Sequence, residues 1–193
     1  MNEAEVLDVL EAKGAVLRGH FQLSSGRHSD VFVQKFRVLE HPRIAQALGE
    51  ELARSFAGEF DLVACPAVGA VVLGFTTALA ADTRMIFAER ADGVMEFRRG
   101  FSIEPGQRTL VVEDVITTGG SALEVVELVK SSGGDPVGIA ALIDRGDPAK
   151  PPSFGVPLRS LVRLDVSSWD PDACPLCAEG IPLADPGSRR LDA

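Results

Sequence analysis

The sequence predicts an α/β fold, a central and mostly parallel sheet flanked by helices. Short apolar runs alternate with helical repeats along the chain. The runs at Asp61 to Cys65, Thr109 to Val115 and Val137 to Ile143 are almost continuously apolar, as in strands covered on both faces. Helix-length segments separate those runs, as parallel crossovers require.

In order, Val6, Leu7, Val9 and Leu10 suit a first helix closed near Gly14. Gly19 to Phe36 reads as two short strands around a Ser-Gly turn. His41-Pro42 opens a second helix to about Phe56, with Ile44, Leu48 and Leu52 on one side. Asp61 to Cys65 is a strand, Val68 to Ala81 a helix and Arg84 to Ala88 a strand. Asp92-Gly93 predicts a hairpin across Glu89 to Phe101. Thr109 to Val115 is a strand, and Ser121 to Ser132 a helix with Leu123, Val126 and Leu128 inward, stopped by Gly133-Gly134. Val137 to Ile143 is a further strand, and Leu158 to Leu164 an edge strand before an irregular tail. One domain is expected over 1–193: an N-terminal helix and hood over 1–40, a core over 41–150, and an edge strand and tail over 151–193.

With 46% hydrophobic residues and a mean hydropathy of +0.14, the chain is not a mainly disordered one. Its net charge of −9 argues against nucleic-acid and anionic-membrane partners. Leu62 to Ala81 is twenty residues without a charge, which is membrane-span length. Pro66, Gly69, Gly74, Thr76 and Thr77 fit a buried strand, turn and helix better. The acidic N-terminus does not read as a signal peptide, and a cytoplasmic location is expected.

The chemistry concentrates in VVEDVITTGGS, Val111 to Ser121. A strand runs into Glu113-Asp114, then a Thr/Gly loop, then a helix. Free N–H groups and the positive end of the helix dipole meet at such a loop and form a phosphate cradle. Gly119 and Gly120 admit close approach, and Thr117, Thr118 and Ser121 add hydroxyls. Two carboxylates repel phosphate but accept hydrogen bonds from a diol, or act through Mg²⁺. A sugar phosphate fits the pairing. Neither GxxxxGK[ST] nor a post-strand GxGxxG is present.

This segment resembles the phosphoribosyl-pyrophosphate motif of the type I phosphoribosyltransferase family. GHFQLSSGRHSDVFVQ (Gly19 to Gln34), CPAVGAVVLG (Cys65 to Gly74) and IDRG (Ile143 to Gly146) are similar to segments of its orotate phosphoribosyltransferase branch. The tail from Cys174 is like that of a thermophile-type group within it. The resemblance implies Mg²⁺-dependent transfer of phosphoribosyl from phosphoribosyl pyrophosphate to orotate in UMP synthesis. It assigns phosphoribosyl pyrophosphate to Glu113, Asp114, Val115, Ile116, Thr117, Thr118, Gly119, Gly120, Ser121 and Arg90. It assigns orotate to Thr117, Arg145 and Phe32. Glu113, Asp114, Arg98 and Arg99 become the catalytic candidates, with Mg²⁺ carried by the substrate and Asp114 acting on it indirectly. It further implies a homodimer in which the hairpin Glu89 to Phe101 is a lid acting across the interface.

The chain departs from the family in its lid, which has Arg90, Arg98 and Arg99 but neither Lys nor His. Val68-Gly69 replaces the usual Lys of the pyrophosphate loop, and Ser24 stands where many members have Lys; Lys35 could serve at the substrate mouth, though its spacing does not match the family lysine. A purine phosphoribosyltransferase and a non-catalytic sensor of phosphoribosyl pyrophosphate are the alternative readings. Cys174-Pro-Leu-Cys177 is half a zinc site, with His20, His28 and His41 distant in sequence; zinc, a disulfide and free thiols stay open. His20 and His28 read as hydrogen-bonded turn histidines, and Cys65 as a packing thiol.

Overall fold

The computed structural model describes residues 1–23 and 25–185. Helix α1 (Glu3–Ala12) starts at a capping box, in which Asn2 and Glu5 each accept the other's backbone N–H. Strands β1 (Val16–Gln22) and β2 (His28–Val33) form an antiparallel hairpin. Helices α2 (Phe36–Leu39) and α3 (Pro42–Ser55) follow, the second with Pro42 in its first turn. Then come β3 (Leu62–Pro66), α4 (Val71–Ala80), β4 (Arg84–Ala91), β5 (Val94–Phe97), β6 (Arg108–Ile116), α5 (Gly120–Ser131), β7 (Asp135–Asp144) and β8 (Leu158–Arg163). The chain returns through β9 (Ser168–Trp169) and the short helix α6 (Pro175–Ala178).

The main sheet has the order β5-β4-β3-β6-β7-β8, parallel except for the β4–β5 hairpin. Asp92 and Gly93 turn that hairpin with φ of 50° and 86°, the positive values a two-residue turn between twisted strands needs. From β3 the chain steps out to β4 and then returns to β6 on the other side of β3. The carboxyl ends of β3 and β6 therefore frame a topological switch point, where open α/β sheets bind ligands.

Apolar side chains fill both faces. On one, Val6 and Leu10 of α1, Leu48 and Leu52 of α3 and Leu73 of α4 pack with Val63, Val112 and Leu142 of the sheet. On the other, Ala122, Val125, Val126 and Val129 of α5 pack with Leu62, Val111 and Ile139. The α5 stripe corrects the expected one: Leu123 is exposed, because the helical period places it one position off the buried row. The helix expected from Val68 begins at Val71, since residues 67–70 curl into a turn. The long uncharged stretch is split among β3, this turn and α4, and no described helix is long and apolar enough to cross a membrane.

A smaller three-stranded sheet, β1-β2-β9, forms the hood. The tail is less irregular than expected: Ser168 and Trp169 pair with Ser29 and His28, and Ala184 bridges to Phe21. Ser24, and the end of the tail from Pro186, lie outside the described residues.

Candidate active site

The buried end of β6 carries two adjacent carboxyls, Glu113 at 6% and Asp114 at 3% exposure. A strand sends neighbouring side chains to opposite faces, so the pair does not share one direction. Glu113 Oε1 turns back to accept the Asp114 N–H at 2.9 Å. Burial, and then the charge of Asp114, push the Glu113 carboxyl up to about 8. Asp114 Oδ2 is buried, pairs with the ammonium of Lys35 and accepts no regular hydrogen bond. It faces the turn after β3: a Cβ at Gly69 would collide with Asp114 Oδ2 and come 2.6 Å from Lys35 Nζ. Glycine is thus what lets the β3 turn close on the β6 carboxylate.

Beyond the acids, Val115 is half-buried and Ile116 buried, while Thr117, Thr118, Gly120 and Ser121 are exposed. Gly119 precedes α5 with φ +77°, and no side chain caps the helix. The first N–H groups of α5 are left for a ligand at that end. Phe154 and Pro152 bracket Gly119 from behind, 2.6 and 3.1 Å from where its Cβ would lie.

At the end of β7, Arg145 donates from Nε to Thr117 Oγ1 at 3.0 Å and from its backbone to Ile116 O at 2.9 Å. The structure thus brings together Thr117 and Arg145, the two polar residues expected at one base. Burial pulls the Arg145 guanidinium down from its ordinary value. Asp144, which accepts the Gly146 N–H at 2.9 Å and pairs with Arg163, stiffens this strand end. Phe32 lies half-buried in the hood with its ring 5.8 Å from that of Phe21.

The hairpin arginines are engaged elsewhere. Arg90 donates to Glu124 Oε2 at 2.7 Å and to Gly93 O at 2.6 Å. Arg99 forks onto both oxygens of Glu89 at 2.8 Å, and Arg98 is exposed. Cys65 is fully buried, and burial raises its thiol away from reactivity.

Two contacts lie beyond what the sequence predicts. Lys35 reaches Asp114, which its position just after β2 does not announce. His20, His28, Cys174 and Cys177 converge, with all four ligand atoms within 4.8 Å of one another. The Cys-x-x-Cys spacing was the only signal of this cluster.

Residues 37–169 match the family model described as phosphoribosyl transferase domain. The chain is 45% identical over 192 residues to the orotate phosphoribosyltransferase of Caldanaerobacter subterraneus subsp. tengcongensis, covering 99% of this chain and 100% of the relative. The chain belongs to the orotate phosphoribosyltransferase family. It is a pentosyltransferase of pyrimidine biosynthesis. Solved orotate phosphoribosyltransferases share its fold. That of Aeropyrum pernix superimposes with a TM-score of 0.68 at 26% identity, covering 82% of this chain and 93% of that one. That of Mycobacterium tuberculosis, in complex with phosphoribosyl pyrophosphate, gives 0.65 at 28% identity over 84% and 96%.

Proposed function

We propose that this orotate phosphoribosyltransferase moves the phosphoribosyl group of phosphoribosyl pyrophosphate onto N1 of orotate, forming orotidine 5′-phosphate and diphosphate. One observation carries the residue-level reading. The buried Glu113-Asp114 pair at the switch point adjoins the uncapped start of α5, and Arg145 is held on the intervening Thr117.

The 5′-phosphate takes the free N–H groups and hydroxyls of Thr117 to Ser121. The ribose hydroxyls donate to Asp114 and Glu113. The charged Asp114 carboxylate then lies near C1, where positive charge develops as the bond to diphosphate breaks. Arg145 offers its planar fork to the flat, anionic orotate, beside Thr117 and Phe32. Lys35, between the Gly69 turn and Asp114, is positioned to meet the leaving diphosphate, the role vacated by the pyrophosphate-loop lysine. Arg90, Arg98 and Arg99 bring the lid down on the same group and exclude water, which competes with orotate for C1.

The donor set suits Mg²⁺: hard carboxylate oxygens, one of them buried without a regular hydrogen bond. Bound to the substrate, the ion would neutralise diphosphate charge, with Asp114 acting on it indirectly. A homodimer is supported by a stripe on and before α4. Val68, Val72, Phe75 and Leu79 recur at helical spacing and are 75%, 38%, 60% and 59% exposed. In that dimer the lid acts on the partner's site. The cytoplasm, which keeps thiols reduced, suits Cys65, Cys174 and Cys177.

The test mixes protein, phosphoribosyl pyrophosphate, Mg²⁺ and orotate and follows the loss of orotate absorbance. Adenine, hypoxanthine and uracil are run in parallel. Turnover with orotate alone is expected. Turnover with a purine alone would reassign the base, and binding without any turnover would make the chain a sensor.

A further inference from the structure

We propose that His20, His28, Cys174 and Cys177 hold one zinc ion, which fastens the tail to the hood. The site shares no residue with the acid–loop site and stands whether or not the roles above hold. His20 lies on β1, His28 opens β2, Cys174 precedes α6 and Cys177 lies within it. Three of the four are buried. His20 Nε2 is 3.0 Å from His28 Nδ1, 3.5 Å from Cys174 Sγ and 3.7 Å from Cys177 Sγ, and Cys177 Sγ is 3.3 Å from His28 Nδ1. In tetrahedral zinc, bond lengths of about 2.0 and 2.3 Å separate two nitrogens by about 3.3 Å and nitrogen from sulfur by about 3.5 Å. Four of the six separations thus come within about 0.4 Å of those that zinc requires, and all six lie within 4.8 Å.

A further contact sets the tautomer. His20 Nδ1 lies 2.8 Å from the carbonyl oxygen of Ile181, so it carries the proton and donates it there. The lone pair of Nε2 is left aimed into the cluster, the outer-shell arrangement of metal-bound histidines. Without an ion, one N–H of His28 and two weak S–H donors are all that serve the ring nitrogens and sulfurs packed there, a poor use of buried polar groups. Two thiolates and two imidazoles select zinc over magnesium or calcium. Four protein ligands leave no open position, so the site is structural.

The topology gives the ion a task. The tail from Ser168 to Ala184 meets the hood at its two ends: Ser168 and Trp169 bridge to β2, Arg27 donates to Ser168 O and Asp170 Oδ1 at 2.7 Å each, and at the far end Ala184 N–H bonds His20 O at 2.8 Å and Gln22 N–H bonds Ala184 O at 2.9 Å. Zinc would lock the segment between these two ends, where α6 packs, onto β1 and β2.

Protein purified without chelator is analysed for metal by mass spectrometry, and metal-free protein is titrated with Zn²⁺ and Co²⁺. About one zinc per chain is expected. Co²⁺ should give the visible bands of a tetrahedral ion with thiolate ligands. Cys177→Ser and His28→Asn should each lower metal content at least about tenfold. Removing the ion should lower Tm by several degrees, and limited proteolysis should then cut first between residues 170 and 185. If Cys177→Ser does not fold, the cobalt spectrum of the unaltered chain still decides. The proposal is overturned if zinc-loaded protein retains no metal with both thiols free to react, or if Cys174 and Cys177 are isolated as a disulfide.

Discussion

Asp114 is a buried charge paired, among the described residues, with Lys35, so its replacement tests electrostatics with little change of shape. Asp114→Asn should cut kcat about 10²-fold, the scale of losing one preorganised charge partner, with an unchanged circular dichroism spectrum. Arg145→Ala should instead raise the KM for orotate about tenfold or more and leave that for phosphoribosyl pyrophosphate nearly unchanged. An Asp114→Asn enzyme with normal kcat, or an Arg145→Ala defect confined to phosphoribosyl pyrophosphate, would reject the respective assignment. Glu113 makes a separate prediction in buffer free of divalent ions. Its carboxyl titrates at about 8 when folded, against 4.5 for an ordinary glutamate. Between those values the folded chain holds a proton that the unfolded chain has released. Stability contributed by Glu113 is therefore full below the lower value and lost as pH rises through the upper one. Tm should fall from about pH 5 to about pH 8, and Glu113→Gln should flatten that slope. A Tm that climbs over this window in a Glu113-dependent way would refute the inverted titration.

The strand–loop–helix unit from β6 to α5 separates two uses of glycine. Gly119 needs φ +77° and has Phe154 and Pro152 where a side chain would go. Gly119→Ala should destabilise by about 2–4 kcal/mol, from left-handed strain together with overpacking. Gly120 has only Thr118 Oγ1 nearby, at 3.8 Å. Gly120→Ala should leave stability within about 0.5 kcal/mol yet raise the KM for phosphoribosyl pyrophosphate, because the new methyl stands where the phosphate is proposed to approach. Denaturant melts and initial rates on both variants decide; a Gly120→Ala enzyme with unaltered kinetics would move the phosphate elsewhere. This unit was legible because everything that shapes it is local: an apolar run, two acids, small residues, then a helical period. The Asp92-Gly93 hairpin was legible for the same reason. The contacts of Lys35 with Asp114, and of His20 and His28 with Cys174 and Cys177, were not. They join segments that meet only when β2 crosses toward the switch point and the tail folds back on the hood, and no local pattern encodes such a meeting. The start of α4 was misread because nothing local separates Val68 to Ala70 from the apolar helix that follows.

At the scale of the whole molecule, an exposed apolar face and a hairpin lid bear on whether each site is complete within one chain. The α4 stripe leaves Phe75 and Leu79 more than half exposed, at a cost to solubility unless a second copy covers them. The unaltered chain should sediment as a dimer and Leu79→Glu as a monomer. If the lid reaches into its partner, complementation follows. A chain lacking the lid arginines (Arg98→Ala with Arg99→Ala) and an Asp114→Asn chain should each be nearly inactive alone. In a mixed dimer, one site has both its own acid lesion and the partner's damaged lid, while the other has an intact acid and an intact lid. Equal mixing yields hybrids in about half the dimers, each with one working site, so about a quarter of the normal rate should return. A lid acting on its own chain leaves every hybrid site with one lesion, and mixing then restores nothing. Full activity of the arginine variant alone would remove the lid from the chemistry altogether.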